Sequence, residues 1–442
     1  MESTLAKNFP WTAGLARLIW PEGASRRKRW VVVAAVILLL VALHTAWTAI
    51  ASARLNRVTQ RVGNRWASMA LSSLAPPKVE DRDNAARPVR AAGELLELPE
   101  PVVGRRVAVR AYGSFEAKEL RPGEHESVRV TVADNDLTLR VLDEAIDRPA
   151  SNWGVRYAQG VSAEIPDLGR ILDLAKLNAA AGRLALRDGR TDELLRAVRR
   201  GVAIERSLSR EPLTIIQLVA ASVQRYHVAL LREWLDRGDV DPAGLSSLAD
   251  LWSDRRSGSA LEAALANEAK GMVAVMQANP SAAIDFLGPV LRPVVIDNLR
   301  AYLERMESVA VCATQRRHER DPSCSDRRDV DTFGPYHFLA RIMVLDFAAT
   351  FERIDVADAR AALASVAIAL ERHRLRYDGY PESLAALAPG WLESVPADPL
   401  TGGSFEYRRT AAGYRLTTGA PVDELFTNSP RHDPVLSWTV ER

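Results

Sequence analysis

Between Trp30 and Ala53 the chain carries no Asp, Glu, Lys or Arg, and Val31–Leu43 is almost purely aliphatic. Residues 30–50 alone make roughly 31 Å of helix at about 1.5 Å per residue, the thickness of a bilayer core. Trp30 and Trp47 lie near its ends, where indoles favour the headgroup region. A cleaved signal peptide has a shorter apolar core followed by a small-residue cleavage site, so an uncleaved transmembrane helix over 30–50 is the expectation. His44, inside the run, is expected to be interfacial.

The flanks set an orientation. Lys7, Arg17 and the contiguous Arg26, Arg27, Lys28 and Arg29 precede the span. The positive-inside rule places residues 1–29 in the cytoplasm and the bulk of the chain in the periplasm of a bacterial inner-membrane protein. Beyond the span, Leu55, Val58, Val62, Trp66, Met69 and Leu74 recur at helical steps while Arg54, Arg57, Arg61 and Arg65 mark another face. This predicts an amphipathic stalk helix over 51–75, ended by Pro76-Pro77.

The 442 residues are long enough for several units, and 47% hydrophobic residues exclude wholesale disorder. A net charge of +2 argues against a nucleic-acid binder. The expected fold class is α+β, mainly α. Residues 76–94 read as a charged, apolar-poor linker, and 95–142 as a small β-containing element, because Val128, Val130 and Val132 alternate. Residues 143–354 read as a helical domain. Within it, Leu168–Leu186 and Leu194–Val202 have helical spacing across a break at Asp188-Gly189-Arg190, with Thr191 as a cap. Further helices are predicted over Pro212–Leu235, Ser259–Gln277 and Arg292–Thr314. Gly182 and Gly189 stand seven apart as in a tetratricopeptide repeat, but no second copy follows.

Cys312 and Cys324 flank a charge-dense segment read as an exposed loop, and in an oxidising compartment they are expected to form a disulfide. No Gly-rich phosphate loop, Gly-x-Ser-x-Gly elbow or dinucleotide fingerprint is present, and the seven histidines are scattered. No enzyme, cofactor or resident metal is expected. The alternative is a membrane-anchored hydrolase with its site in the helical domain.

Residues 355–442 form a C-terminal module. A helix carrying Val356, Leu363, Val366 and Leu370 runs to Tyr377 and Asp378-Gly379. Tyr380-Pro381, Leu384–Leu387, Trp391-Leu392 and Pro396-Ala397-Asp398-Pro399 follow. Phe405/Tyr407 and Tyr414/Leu416 then alternate as hairpin strands, and Pro434–Val440 can add a third. This order resembles the C-terminal part of type II secretion pseudopilins, the major pseudopilin type. The resemblance implies a long helix packed on a small antiparallel sheet. Residues 140–442 are also similar to bacterial membrane-anchored proteins that pair a helical domain with this ending, a likeness that implies no activity. The chain lacks the pseudopilin peptidase site, so assembly as a pilin is not expected. Pseudopilins also suggest a calcium loop, for which Asp423, Glu424, Asn428 and Asp433 offer oxygens; Gly419-Ala420-Pro421-Val422 replaces the usual glycine–aspartate turn, and a solvated acidic loop is favoured. The overall expectation is a scaffold or partner-binding component, touching other envelope proteins and allied to secretion or surface-structure machinery.

Overall fold

A computed structural model describes residues 25–65, 76–98, 105–114, 122–157, 159, 163–252, 258–278, 289–321, 324, 336–337, 340–341, 347–420 and 436–441. Their order begins with α1 (Arg26–Arg65), α2 (Ala86–Leu95), α3 (Arg105–Tyr112), α4 (Pro122–Asp134) and α5 (Asp136–Asp143). There follow α6 (Leu168–Arg187), α7 (Thr191–Ser209), α8 (Thr214–Arg237), α9 (Pro242–Leu248) and α10 (Gly258–Ala278). Next come α11 (Arg292–Ala313), α12 (Phe347–Tyr377) and the strands β1 (Glu406–Arg409), β2 (Gly413–Thr417) and β3 (Ser437–Glu441). The fold is α+β and mainly helical. It divides into two compact units, the first holding α1 and α11 as far as Glu304, the second holding α2–α9, most of α10, α12 and the sheet.

In the first unit, α1 is a single helix of 40 residues, long and apolar enough to cross a membrane. Its aliphatic stretch is uncovered: Ile37, Leu38, Leu39, Leu40, Val41 and Leu43 are each more than half exposed. Further on, Ala51, Leu55, Val58 and Val62 are buried at intervals of four, three and four, the spacing of a helix–helix seam. The helix continues unbroken past residue 50 to Arg65; the rest of the expected stalk, 66–75, lies outside the described residues. Alongside it, Asn298 of α11 donates to the Tyr336 carbonyl (2.7 Å) and accepts from the Ala340 amide (2.9 Å).

In the second unit, α6, α7 and α8 form the scaffold. Asp167 caps α6 by accepting the Arg170 amide at 3.0 Å. The helix leaves through Gly189 at φ +71°, so Thr191 is the first residue of α7 rather than its cap. A Cβ on Gly182 would lie 2.3 Å from Leu230; glycine lets α6 and α8 approach at that crossing. The α8 start lacks its own cap, and the Thr214 amide instead donates to Glu268 of α10 at 2.9 Å.

Two stretches differ from expectation. Residues 76–94 are not all linker: α2 starts at Ala86, and Ala86, Val89 and Ala92 are buried. Its stripe is mostly alanine between arginines, too weakly apolar to stand out. Residues 95–142 hold α3, α4 and α5 and no strand among the described residues. The alternating valines sit on a helix, where Val128 and Thr131 are buried one turn apart. Asn135 accepts the Glu97 amide (2.9 Å) and donates to the Thr131 carbonyl (2.9 Å), closing α4. Packing on α6 outweighs β-branched propensity, which is weak and context-dependent.

The sheet is antiparallel in the order β1-β2-β3, with Tyr407 opposite Leu416 and Leu416 opposite Trp438. Tyr414, Leu416, Trp438 and Val440 face inward and share one core with Val356, Leu363, Val366 and Leu370 of α12 and with Leu230 and Trp234 of α8. The boundary expected at residue 355 therefore falls inside α12, which is buried along most of its length from Phe347 to Glu371. Tyr377, where that helix ends, is 66% exposed. The turn after α12 is made by Asp378, at φ +54°.

Candidate functional site

The second unit contains a cavity of about 910 Å³ bounded by the segment 313–320, by α12 and by 391–399, with Trp252 and Leu261 on its apolar side. Each wall is held by a buried polar anchor.

The first wall is the loop closed by the disulfide between Cys312 and Cys324, whose Cα atoms are 5.8 Å apart. The segment between them is largely exposed, with Thr314, Arg316, His318, Glu319 and Asp321 at the surface, while both cysteines themselves are buried. Arg320 folds the loop inward. Its guanidinium donates to both carboxylate oxygens of Asp355 on α12 (2.7 and 3.0 Å) and to the carbonyls of Cys312 (3.2 Å) and Gln315 (3.0 Å). It also lies 4.5 Å from the centre of the Phe351 ring. A planar fork of five donors suits such a site, where a lysine would satisfy only part of it. Arg316, Arg317 and His318 are thereby placed on the cavity wall. The His318 ring meets Gly402, where a Cβ would lie 2.5 Å from Nε2 and φ is +77°; only glycine meets both demands.

The opposite wall rests on Asp398, which is fully buried. One oxygen accepts the Leu400 amide (2.9 Å); the other accepts the Thr401 hydroxyl (3.0 Å), the Thr418 hydroxyl (2.6 Å) and the Gly419 amide (2.9 Å). This one carboxylate ties the Pro-x-Asp-Pro turn to the strand end after β2. Below it, Glu371 of α12 accepts from the Tyr380 hydroxyl (2.8 Å) and from Arg374 (2.9 Å). Arg372 stacks over Trp391 at 5.1 Å.

The lining is amphoteric. Among the described residues Arg316 and Arg317 have no carboxylate partner, and Glu262 and Glu393 no cationic one, while Trp252, Leu261 and Ile354 supply apolar surface. Among the described residues no lining hydroxyl is hydrogen-bonded to a histidine or carboxylate. Behind Trp252 and outside the lining, the buried pair His227 and Glu205 lie 3.0 Å apart. His227 is 1% and Glu205 5% exposed, which shuts the pair off from any substrate. Burial, with Arg360 and Arg206 nearby, holds the His227 imidazole down to about 3, so it is neutral and structural.

Among the described residues no group of three or more His, Cys, Asp or Glu side chains is arranged to hold a metal ion. The calcium candidates Asp423, Glu424, Asn428 and Asp433 lie outside the described residues. Of the residues singled out in the sequence, the structure joins Cys312 to Cys324 and brings His318 of that loop against Gly402, just past the Asp398 turn. It adds Arg320, Asp355, Glu371 and Thr418, which carried no local signal. Comparisons with protein-family models, with curated proteins and with solved structures find no match to this chain.

Proposed function

We propose that the chain is a non-enzymatic, single-pass membrane protein of the bacterial envelope, with its N-terminus cytoplasmic and its bulk periplasmic. In this reading it is a scaffold or partner-binding component allied to secretion or surface-structure machinery. The observation that carries the anchor is the uncovered aliphatic stretch of α1, followed directly by a buried seam. Exposed to water, that surface would be costly; in hydrocarbon it is at home, with the helix satisfying its own backbone. The amphoteric cavity supports partner binding, because both charge signs beside apolar surface suit a peptide segment better than a single small ion. The order of helix, Tyr-Pro, Pro-x-Asp-Pro turn and hairpin supports kinship with pseudopilin endings.

The test is topological. A reporter active only outside the cytoplasm, fused after Arg442, is expected to be active, and deleting Arg26–Arg29 is expected to reduce that activity. An inactive C-terminal fusion beside an active N-terminal one would reverse the orientation. Recovery of the chain in the soluble fraction would remove the anchor.

A further inference from the structure

We propose that Val290 and Leu291, at the head of α11, enter the outer edge of the bilayer beside α1, with Arg292 at the level of the lipid phosphates. The first unit would then hold the membrane through two elements. This rests on the reading of α1 as a spanning helix.

The depth follows from one hydrogen bond. The His44 Nε2 donates to the Val290 carbonyl at 3.1 Å. His44 lies three residues before Trp47, about 4.5 Å deeper along the axis at ~1.5 Å per residue. With Trp47 marking the interface, the Val290 carbonyl lies inside it. The bond also resolves two problems at once: a backbone carbonyl at that depth needs a donor, and a histidine in an apolar run needs an acceptor.

The direction of α11 agrees. Arg61 lies 4.0 Å from Glu304, so the chain stretches from His44 to Arg61 and from Val290 to Glu304 run side by side. These are about 25 and 21 Å of helix, comparable lengths for parallel neighbours. Hence α11 climbs away from the membrane with α1, and its N-terminus is its membrane end. There Val290 is 72% and Leu291 40% exposed. Exposed aliphatic side chains are ordinary when scattered, but these two sit at the depth where hydrocarbon is the solvent. Arg292 follows, exposed and without a carboxylate partner among the described residues. Its long side chain can reach outward to phosphate while its stem stays against lipid.

The test uses the full chain reconstituted in phosphatidylcholine–phosphatidylglycerol vesicles. Val290→Cys and, separately, Leu38→Cys are labelled with an environment-sensitive fluorophore and quenched by lipids bearing spin labels at shallow or deep acyl positions. Both probes are expected to be quenched, Val290 more by the shallow label and Leu38 more by the deep one. Quenching at Leu38 without quenching at Val290 overturns the proposal and leaves the anchor standing. A Val290 probe that is blue-shifted yet unquenched also overturns it, by placing protein there. Absence of quenching at both positions removes the anchor as well. Adding Arg292→Glu is expected to lower Val290 quenching about twofold by repelling the anionic surface; unchanged quenching would take Arg292 out of the contact.

Discussion

Asp398 shows how one side chain can decide whether a segment is ordered. Each of its oxygens faces a backbone N–H, from Leu400 on one side and Gly419 on the other. Asp398→Asn must turn its NH₂ toward one of those amides in either flip. The expected loss is about 1–3 kcal/mol for a buried donor left unpaired, and more for Asp398→Ala; urea unfolding measures both. His227 gives a pH signature. Unfolded, it titrates near the ordinary value of about 6.5; folded, it stays neutral to about 3. Between those limits the unfolded state binds more protons, so this group's contribution falls as pH falls, by at most about 1.4 kcal/mol per pH unit. Asp236, raised to about 6 by burial, acts with the opposite sign between its ordinary value and 6. The measurement is therefore the difference between wild type and His227→Gln across pH 7 to 4, roughly the window in which the two states differ. Equal slopes would show that the imidazole is protonated in the fold.

At the scale of elements, α12 is the keystone. Leu370 is fully buried in the core shared with Tyr414, Leu416 and Trp438. Leu370→Ala is expected to cost about 2–5 kcal/mol through lost contacts and a residual cavity. Because α8 packs on the same core, unfolding should stay a single transition by fluorescence and circular dichroism; an independent early transition of the C-terminal module would show it to be a separate domain. The disulfide loop is the second element-scale device. Joining residues 12 apart removes unfolded-state freedom worth about 3 kcal/mol. Reduction, or a Cys312→Ala, Cys324→Ala double variant, is expected to lower stability by up to that amount, read from urea midpoints. Peptide mapping without reductant should recover the linked pair, and two freely alkylated cysteines would refute the bond. The helices read over 168–186, 194–202, 212–235, 259–277 and 292–314 fall on α6, α7, α8, α10 and α11; they were legible because each carries a 3.6-residue apolar pattern. The helices over 86–143 were not: their apolar positions are few and small, and three alternating valines imitate a strand.

At the scale of the whole molecule, an exposed apolar helix and an amphoteric cavity belong to different units of one chain. The proposed division of labour is an anchored first unit and a partner-binding second unit. A variant with α1 residues 30–50 replaced by an unrelated apolar span is expected to keep its membrane association and its folded second unit, measured by fractionation and protease resistance. Loss of protease resistance would mean that the span itself supports the fold.

Amino-acid order alone determined features that act over a few neighbouring residues. These are the charge-free run of α1, the break at Gly189, the hairpin alternation of Tyr407, Tyr414 and Leu416, and the proximity of two cysteines. Each follows from local propensity, backbone stereochemistry or period, and needs no distant partner. Tertiary structure decided the pairings. Arg320 finds Asp355 at 35 residues' separation and Asp398 finds Thr418 at 20. With 58 Lys and Arg and 56 Asp and Glu in the chain, the number of possible partners is far too large for spacing to choose among them. What chooses is the shape of the packed core, which leaves each buried charge one place where its hydrogen bonds can be satisfied.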